Sequence, residues 1–199
     1  IRLSASRTLA RPEYRELAGI RTRDVLGGID MRGNPSLQRT LVDNLDMRYE
    51  FYPRRGEVLS IATFAKRFHD PIERVFGATS TASVVTFVNA DAADNVGVEA
   101  EVRKDLDEIA TWLTPFTVFG GVTVMKSQIH LGASAASSTN PNRAMVGQSP
   151  YVVNAGLTYS ALTRLSATVL YNRVGPRIVE AGEQPLPDVI ELASDQVDA

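Results

Sequence analysis

The feature that most constrains this chain is a two-residue alternation of apolar and polar side chains that recurs in separated stretches. In residues 40–52 the odd positions read Leu41, Asp43, Leu45, Met47, Tyr49 and Phe51, and the even ones Thr40, Val42, Asn44, Asp46, Arg48, Glu50 and Tyr52. Successive side chains of a strand point to opposite faces, so this run makes an apolar stripe backed by a charged one. Residues 148–160 repeat it, with Tyr151, Val153, Ala155, Leu157 and Tyr159 against Val152, Asn154, Gly156 and Thr158. In 164–172, Leu165, Ala167, Val169 and Tyr171 oppose Ser166, Thr168, Leu170 and Asn172; in 96–103, Val96, Val98, Ala100 and Val102 oppose Gly97, Glu99, Glu101 and Arg103. Helical periodicity is scarce, its best stretch, residues 104–112, being short and broken by aspartates. Residues 57–69 fit neither phase throughout: Leu59 and Ile61 favour one face, Phe64 and Phe68 the other. A bulge would reconcile them, and the faces of this strand stay open.

The connections alternate too. Residues 53–56 and 161–163 form tight turns and 104–114 a somewhat longer one, whereas 11–37, 71–83, 131–147 and 175–189 are long and hold much of the Gly, Pro, Ser and Asn. Short turns at one end and long loops at the other are the rhythm of an outer-membrane barrel. The pattern predicts about eight antiparallel strands, near 1–10, 38–52, 57–70, 83–104, 115–130, 148–160, 163–175 and 190–199. A soluble antiparallel sandwich also gives one apolar and one polar face. Against it stand the small residues Ala100, Ala155 and Ala167 in the apolar stripes, which suit a dense core poorly. Aromatics near the strand ends also favour a barrel, Tyr49, Phe51, Trp112, Phe116 and Tyr159 beside short turns and Tyr151 and Tyr171 toward long links.

Composition removes other classes. With 21 basic and 23 acidic residues and a net charge of −2, the chain has no electrostatic footprint for nucleic acid. Having no cysteine, it has no disulfides, thiol catalysis or Cys-based zinc sites. No apolar run approaches the roughly 18 residues of a spanning helix, which leaves a membrane β-barrel open. The first residue is not Met and no signal peptide is visible, so the chain is expected to be cut from within a longer protein.

Several segments resemble the C-terminal half of the barrel of TonB-dependent outer-membrane receptors. Gly147, Gln148, Ser149, Pro150 and Tyr151, followed by Asn154, Gly156, Leu157 and Tyr159, are similar to the family's G-Q-S-P-Y-x-x-N-x-G-L-x-Y stretch. Pro150 lacks an amide and suits the point where pairing begins, and Gly156 leaves room for another backbone. Thr8, Arg11, Pro12, Tyr14, Glu16 and Leu17 resemble T-x-x-R-P-x-[FY]-x-E-L, and Gly33, Asn34, Pro35 and Leu37 resemble G-N-P-x-L. Residues 64–73 and 89–101, the latter with Gly97 and Glu99, match the next two strands in the family's order.

The resemblance implies an all-β fold, an antiparallel up-and-down meander forming part of a large transmembrane β-barrel. Residues 1–199 would be a partial barrel domain, without the plug domain and the closing strands. It further implies the outer membrane of a Gram-negative bacterium and TonB-energised uptake of a scarce ligand of siderophore, cobalamin or glycan class. The implied partners are outer-membrane lipid, an extracellular ligand, and the TonB complex through an N-terminal part outside this segment. A passive outer-membrane channel and a soluble sandwich are the alternatives.

No cofactor and no enzymatic activity are expected, since G-x-G-x-x-G, the P-loop, H-E-x-x-H and G-x-S-x-G are all missing. His69 and His130 lie at strand-to-loop borders and read as surface histidines. Glu99 and Glu101 share a face as an acid–base pair would, but Arg103 continues the row and no nucleophile accompanies it. They read instead, with Asn44, Asp46, Arg48 and Glu50, as lumen-facing wall residues, some of which the resemblance pairs with the plug. Leu45, Met47, Tyr49, Phe51, Val153, Leu157, Val169 and Tyr171 are expected on the outer, lipid surface.

Overall fold

The computed structural model describes residues 1–23, 30–78, 83–160 and 165–199. In chain order the strands are β1 (Arg2–Ala10), β2 (Arg21–Arg23), β3 (Asp30–Arg32), β4 (Thr40–Phe51), β5 (Val58–His69), β6 (Ile72–Ala78) and β7 (Ser83–Asn89). They continue with β8 (Ala92–Asp105), β9 (Phe116–His130), β10 (Tyr151–Ser160), β11 (Ser166–Val174), β12 (Arg177–Gly182), β13 (Val189–Glu191) and β14 (Ser194–Asp198). One helical turn, α1 (Tyr14–Leu17), follows β1.

Eight strands form one antiparallel sheet in the order β1-β4-β5-β8-β9-β10-β11-β14, the order of the chain itself. This is the expected up-and-down meander. β4 pairs with β5 from Leu41↔His69 to Phe51↔Leu59, and β5 with β8 from Val58↔Arg103 to His69↔Ala92, without a break in register. No bulge is therefore needed in β5. Leu59, Ile61, Thr63 and Ala65 share the apolar face, and Phe64 and Phe68 lie on the polar one. Phe64 covers Gly97, and Phe68 packs against a buried cluster of Ala90, Ala93, Ile129, Leu131 and Met145. Two aromatics thus broke the alternation because the polar face has its own apolar contacts.

The long links differ from expectation in carrying a second, six-stranded sheet, ordered β13-β12-β6-β7-β3-β2. The stretch predicted as one strand over 83–104 divides at residues 90–91 into β7 of the second sheet and β8 of the first; that predicted over 190–199 divides into β13 and β14. The predicted turn 161–163 lies outside the described residues. β5 and β8 continue as the β6–β7 hairpin through a neck, where the Ala90 amide donates to the Pro71 carbonyl (2.9 Å) and the Asp70 amide to the Asp91 carbonyl (3.3 Å). Asp70 bends the chain there with φ of +53°, a left-handed conformation that aspartate tolerates.

The buried apolar residues gather around this neck and the second sheet: Val75, Val84, Val85, Phe87 and Ala181, and the Ala90 cluster. On the apolar face of the eight-stranded wall most large apolar side chains stay exposed. Leu45, Met47 and Leu157 are 52%, 50% and 41% accessible, so they form no common dry core, and Tyr49, Phe51 and Val169 are exposed as well. Val153 and Tyr171 are half-buried, the Tyr171 hydroxyl donating to Asp195 at 2.6 Å.

Candidate functional site

The wall's register sorts its side chains into rows across neighbouring strands. Asp46, Phe64, Gly97 and Met125 make one; Arg48, Ala62, Glu99, Thr123 and Val152 the next; and Glu50, Ser60, Glu101, Gly121 and Asn154 a third. Arg103 stands further along the same face, beside Phe119 and then Gly156, and Asn44 stands beside Lys66 at the other end. All seven polar wall residues singled out from the sequence therefore share one face, and the structure joins some of them. Arg48 donates to Glu50 Oε1 (2.9 Å), Glu101 Oε2 (2.6 Å) and Ser60 Oγ (3.0 Å), and Arg2 reaches Glu50 at 3.2 Å. Asn44 donates to Thr8 Oγ1 at 3.2 Å. Asp46 and Glu99 line a cavity of about 370 Å³ together with Lys66, Asn95, Gln148 and the ring of Phe64. Within it Asn95 is buried, and its side-chain oxygen has no hydrogen-bond partner.

Two glycines of this face have a common role that the sequence did not show. At Gly156 a β-carbon would overlap the ring of Phe119, its register partner, and at Gly97 the ring of Phe64. The space at Gly156 is thus filled by an aromatic ring rather than by another backbone. A cation stands over each ring at 5.8 Å, Arg103 on Phe119 and Lys66 on Phe64.

Most of the remaining motif residues mark where strands meet long loops; Asn154 lies within β10. Gly147 has φ of +81°, which glycine alone adopts without strain, and its amide donates to the Ile178 carbonyl at 2.7 Å. Ser149 is buried and donates to the Tyr151 carbonyl (2.9 Å), while the Pro150 carbonyl accepts from Met125 (2.9 Å), so pairing with β9 does begin at this proline. Asn154 Oδ1 accepts from Asn172 at 2.7 Å. Asn34 donates to the Phe87 carbonyl at 3.0 Å and caps the Ser36 amide at 2.9 Å, tying the 11–37 link to β7; Pro35 is exposed beside it. Arg11 is exposed and Pro12 half-buried just past β1.

The links are also joined by charge. Arg143 donates to Glu73 at 2.7 Å with both side chains almost fully buried, and the Val146 amide adds a 3.4 Å bond to the same carboxylate. Burial pushes the Glu73 carboxyl above its ordinary range, against the pull of Arg143. At the opposite end of the wall Arg54 binds Glu57 (2.6 Å) and Asp107 (2.6 Å), and Lys104 binds Glu57 and Glu108, fastening the 52–57 turn to the 106–115 turn. The hydrogen bonds from Arg54 hold the Glu57 and Asp107 carboxyls below the usual carboxylate range. Half-buried His69 bonds Asp43 at 2.9 Å, and exposed His130 bonds Asp94 at 3.0 Å. Among the described residues no group of His, Cys, Asp and Glu is arranged to hold a metal ion.

A family profile described as "TonB dependent receptor-like, beta-barrel" matches residues 1–190. No curated protein matches the chain by sequence. Solved structures do. The copper transporter OprC is 16% identical with a TM-score of 0.67, over 98% of this chain and 28% of that one. The siderophore receptor PirA from Acinetobacter baumannii is 12% identical with a TM-score of 0.60, over 98% of this chain and 31% of that one. The ferric enterobactin receptor PfeA from Pseudomonas aeruginosa, in a Q482A mutant form bound to enterobactin, is 16% identical with a TM-score of 0.58, over 97% and 29%. The chain thus spans under a third of the length of these structures.

Proposed function

The chain belongs to the TonB-dependent receptor β-barrel family, and from that premise we propose that residues 1–199 form one sector of the wall and loops of an uptake receptor. The observation that carries this reading is the inverted placement of apolar side chains. Leu45, Met47, Ile61, Val98, Val124 and Leu157 stand exposed on one face of five neighbouring strands, while charge gathers on the other. Such a face is stable against lipid and costly against water. On this reading it contacts the outer membrane, and the face bearing Asn44, Asp46, Arg48, Glu50, Glu99, Glu101 and Arg103 lines the interior. The interior row faces the plug of the complete receptor, which supplies the contact with TonB.

The activity is energised transport and not enzymatic catalysis. The ligand is scarce, too large for a porin, and captured first on the extracellular side, where the six-stranded sheet offers a fixed surface above the wall. Among the siderophore, cobalamin and glycan classes we place the siderophore class first, because one of the similar structures is named a siderophore receptor and another a ferric enterobactin receptor. The test is uptake by cells expressing the full-length receptor, with and without TonB. Uptake that is lost without TonB while surface binding persists is the expected result; uptake that continues unchanged identifies a passive channel.

A further inference from the structure

The apolar face carries one feature that the uptake reading does not use. Ala65 and Thr63 are small residues between Leu45 and Met47 on one side and Val96 and Val98 on the other, and they floor a groove of about 720 Å³. Its lining is almost wholly apolar except for Lys126, which stands at one end in the row Leu45–Ala65–Val96–Lys126. The next row on this face changes chemistry abruptly: Arg7, Asp43, Arg67, Asp94 and Gln128 stand side by side, at the end of the wall nearest the neck.

The charges of this row are unequally committed. Arg7 is paired twice with Asp43, at 2.5 and 2.9 Å. Arg67 makes a single long contact with Asp94, at 3.5 Å, and its side chain is 59% exposed. Lys126 is exposed and forms no ion pair among the described residues. Arg67 and Lys126 are separated by two strand spacings and by one row along the strands, roughly 12 Å between their backbones, within joint reach of two long side chains. An apolar groove ending at Lys126, with the loosely held Arg67 in the row beyond it, fits a molecule with an apolar chain and an anionic head.

We propose that this groove is a site for one phosphate-bearing anionic lipid of the outer leaflet. Its acyl chain lies over Thr63 and Ala65 between Leu45 and Val96, and its phosphate sits between Arg67 and Lys126. Bonded Asp43 and Asp94 hold the neighbouring row in place and keep the anion from spreading along the belt. The inference rests on the reading of this face as the lipid-facing one.

The test uses the full-length receptor reconstituted in phosphatidylcholine vesicles containing phosphatidic acid, extracted in mild detergent, with the retained lipid counted by native mass spectrometry. Insertion is scored separately by protease resistance. Phosphatidic acid is expected to be enriched over phosphatidylcholine. The enrichment should fall about fivefold for Lys126→Gln and again for Arg67→Gln, as one surface charge each implies. Lys126→Arg should keep it. Ala65→Trp, which fills the groove and changes no charge, should lose it. Equal retention in wild type and the glutamine variants overturns the site, as does sensitivity to charge without sensitivity to Ala65→Trp, which reports surface attraction alone. A receptor that fails to insert in any vesicle overturns the membrane reading itself, an outcome separate from insertion without lipid preference.

Discussion

In the eight-stranded wall Leu45, Met47, Ile61 and Val98 are about half exposed, whereas in the six-stranded sheet Val75, Val84, Val85 and Phe87 are buried. The wall places apolar groups outside and joins polar ones across its other face; the second sheet does what a water-soluble domain does. One chain thus follows two solvents, and the change occurs over the few residues of the neck at Asp70 and Asp91. The difference teaches that burial is not a property of residue type here. Arg143 and Glu73 are among the most buried side chains in the molecule, and Leu3 and Leu45 among the exposed ones.

The largest effect should come from the buried pair. Arg143→Met leaves the Glu73 carboxylate without its cation and should cost the loop region about 3 to 5 kcal/mol, seen as lost hydrogen-exchange protection in residues 72–89 and 131–147 while the wall strands keep theirs. Because burial raises the Glu73 carboxyl, acid should protonate it and shrink the loss. A loss shared equally by wall and loops would erase the distinction between the two regions.

Next comes the wall. Val98→Arg places a cation on the apolar face and should cost about 2 to 4 kcal/mol in folding into vesicles, whereas Thr123→Arg on the polar face should cost far less. The graded version puts Arg in turn at Tyr151, Val153, Ala155, Leu157 and Tyr159. A profile as steep at the ends as in the middle would show that no bilayer lies against this face.

Within the wall, Gly156→Ala forces the Phe119 ring off its seat and should cost about 1 to 3 kcal/mol. Combining it with Phe119→Leu should recover part of that cost, and strict additivity in the double-mutant cycle would show that ring and glycine do not act together.

The smallest effect lies at the two short turns. Glu57 and Asp107 have carboxyls lowered by Arg54, so their contribution is present above the ordinary carboxylate range and lost as pH falls through their lowered values. The difference between wild type and Arg54→Gln in urea titrations should therefore fade in acid. A difference that grows in acid would mean that these carboxylates are not held by Arg54.

The wall was legible in the sequence because its signal is local: the alternation in 40–52 assigns two faces without knowledge of any partner strand. β5 resisted because Phe64 and Phe68 pack on a face otherwise polar, a fact that depends on Gly97 and Ile129 far along the chain. The second sheet escaped entirely. β12 pairs in parallel with β6 through only Ala181↔Val75 and Gly182↔Phe76, and β2, β3 and β13 have three residues each, too few to show a period. Likewise Arg143 sits in a link rich in Gly, Ser and Asn, where a charge reads as solvated; its partner lies 70 residues away. The shared face of the seven wall residues followed from spacing, but their bonding did not. Nothing in the spacing says that Arg48 would gather Glu50, Ser60 and Glu101.

The neck at Asp70 and Asp91 has an evolutionary consequence. The chain leaves the wall and rejoins it at two points that are hydrogen-bonded to each other, so residues 72–89 form a cassette whose two ends are already closed. A lineage can lengthen, shorten or replace that cassette without shifting the register of β5 against β8, on which every row of the wall depends. Cassette and wall are thereby free to diverge at different speeds, and a new cassette can be tried without disturbing the pairing of the strands that carry it.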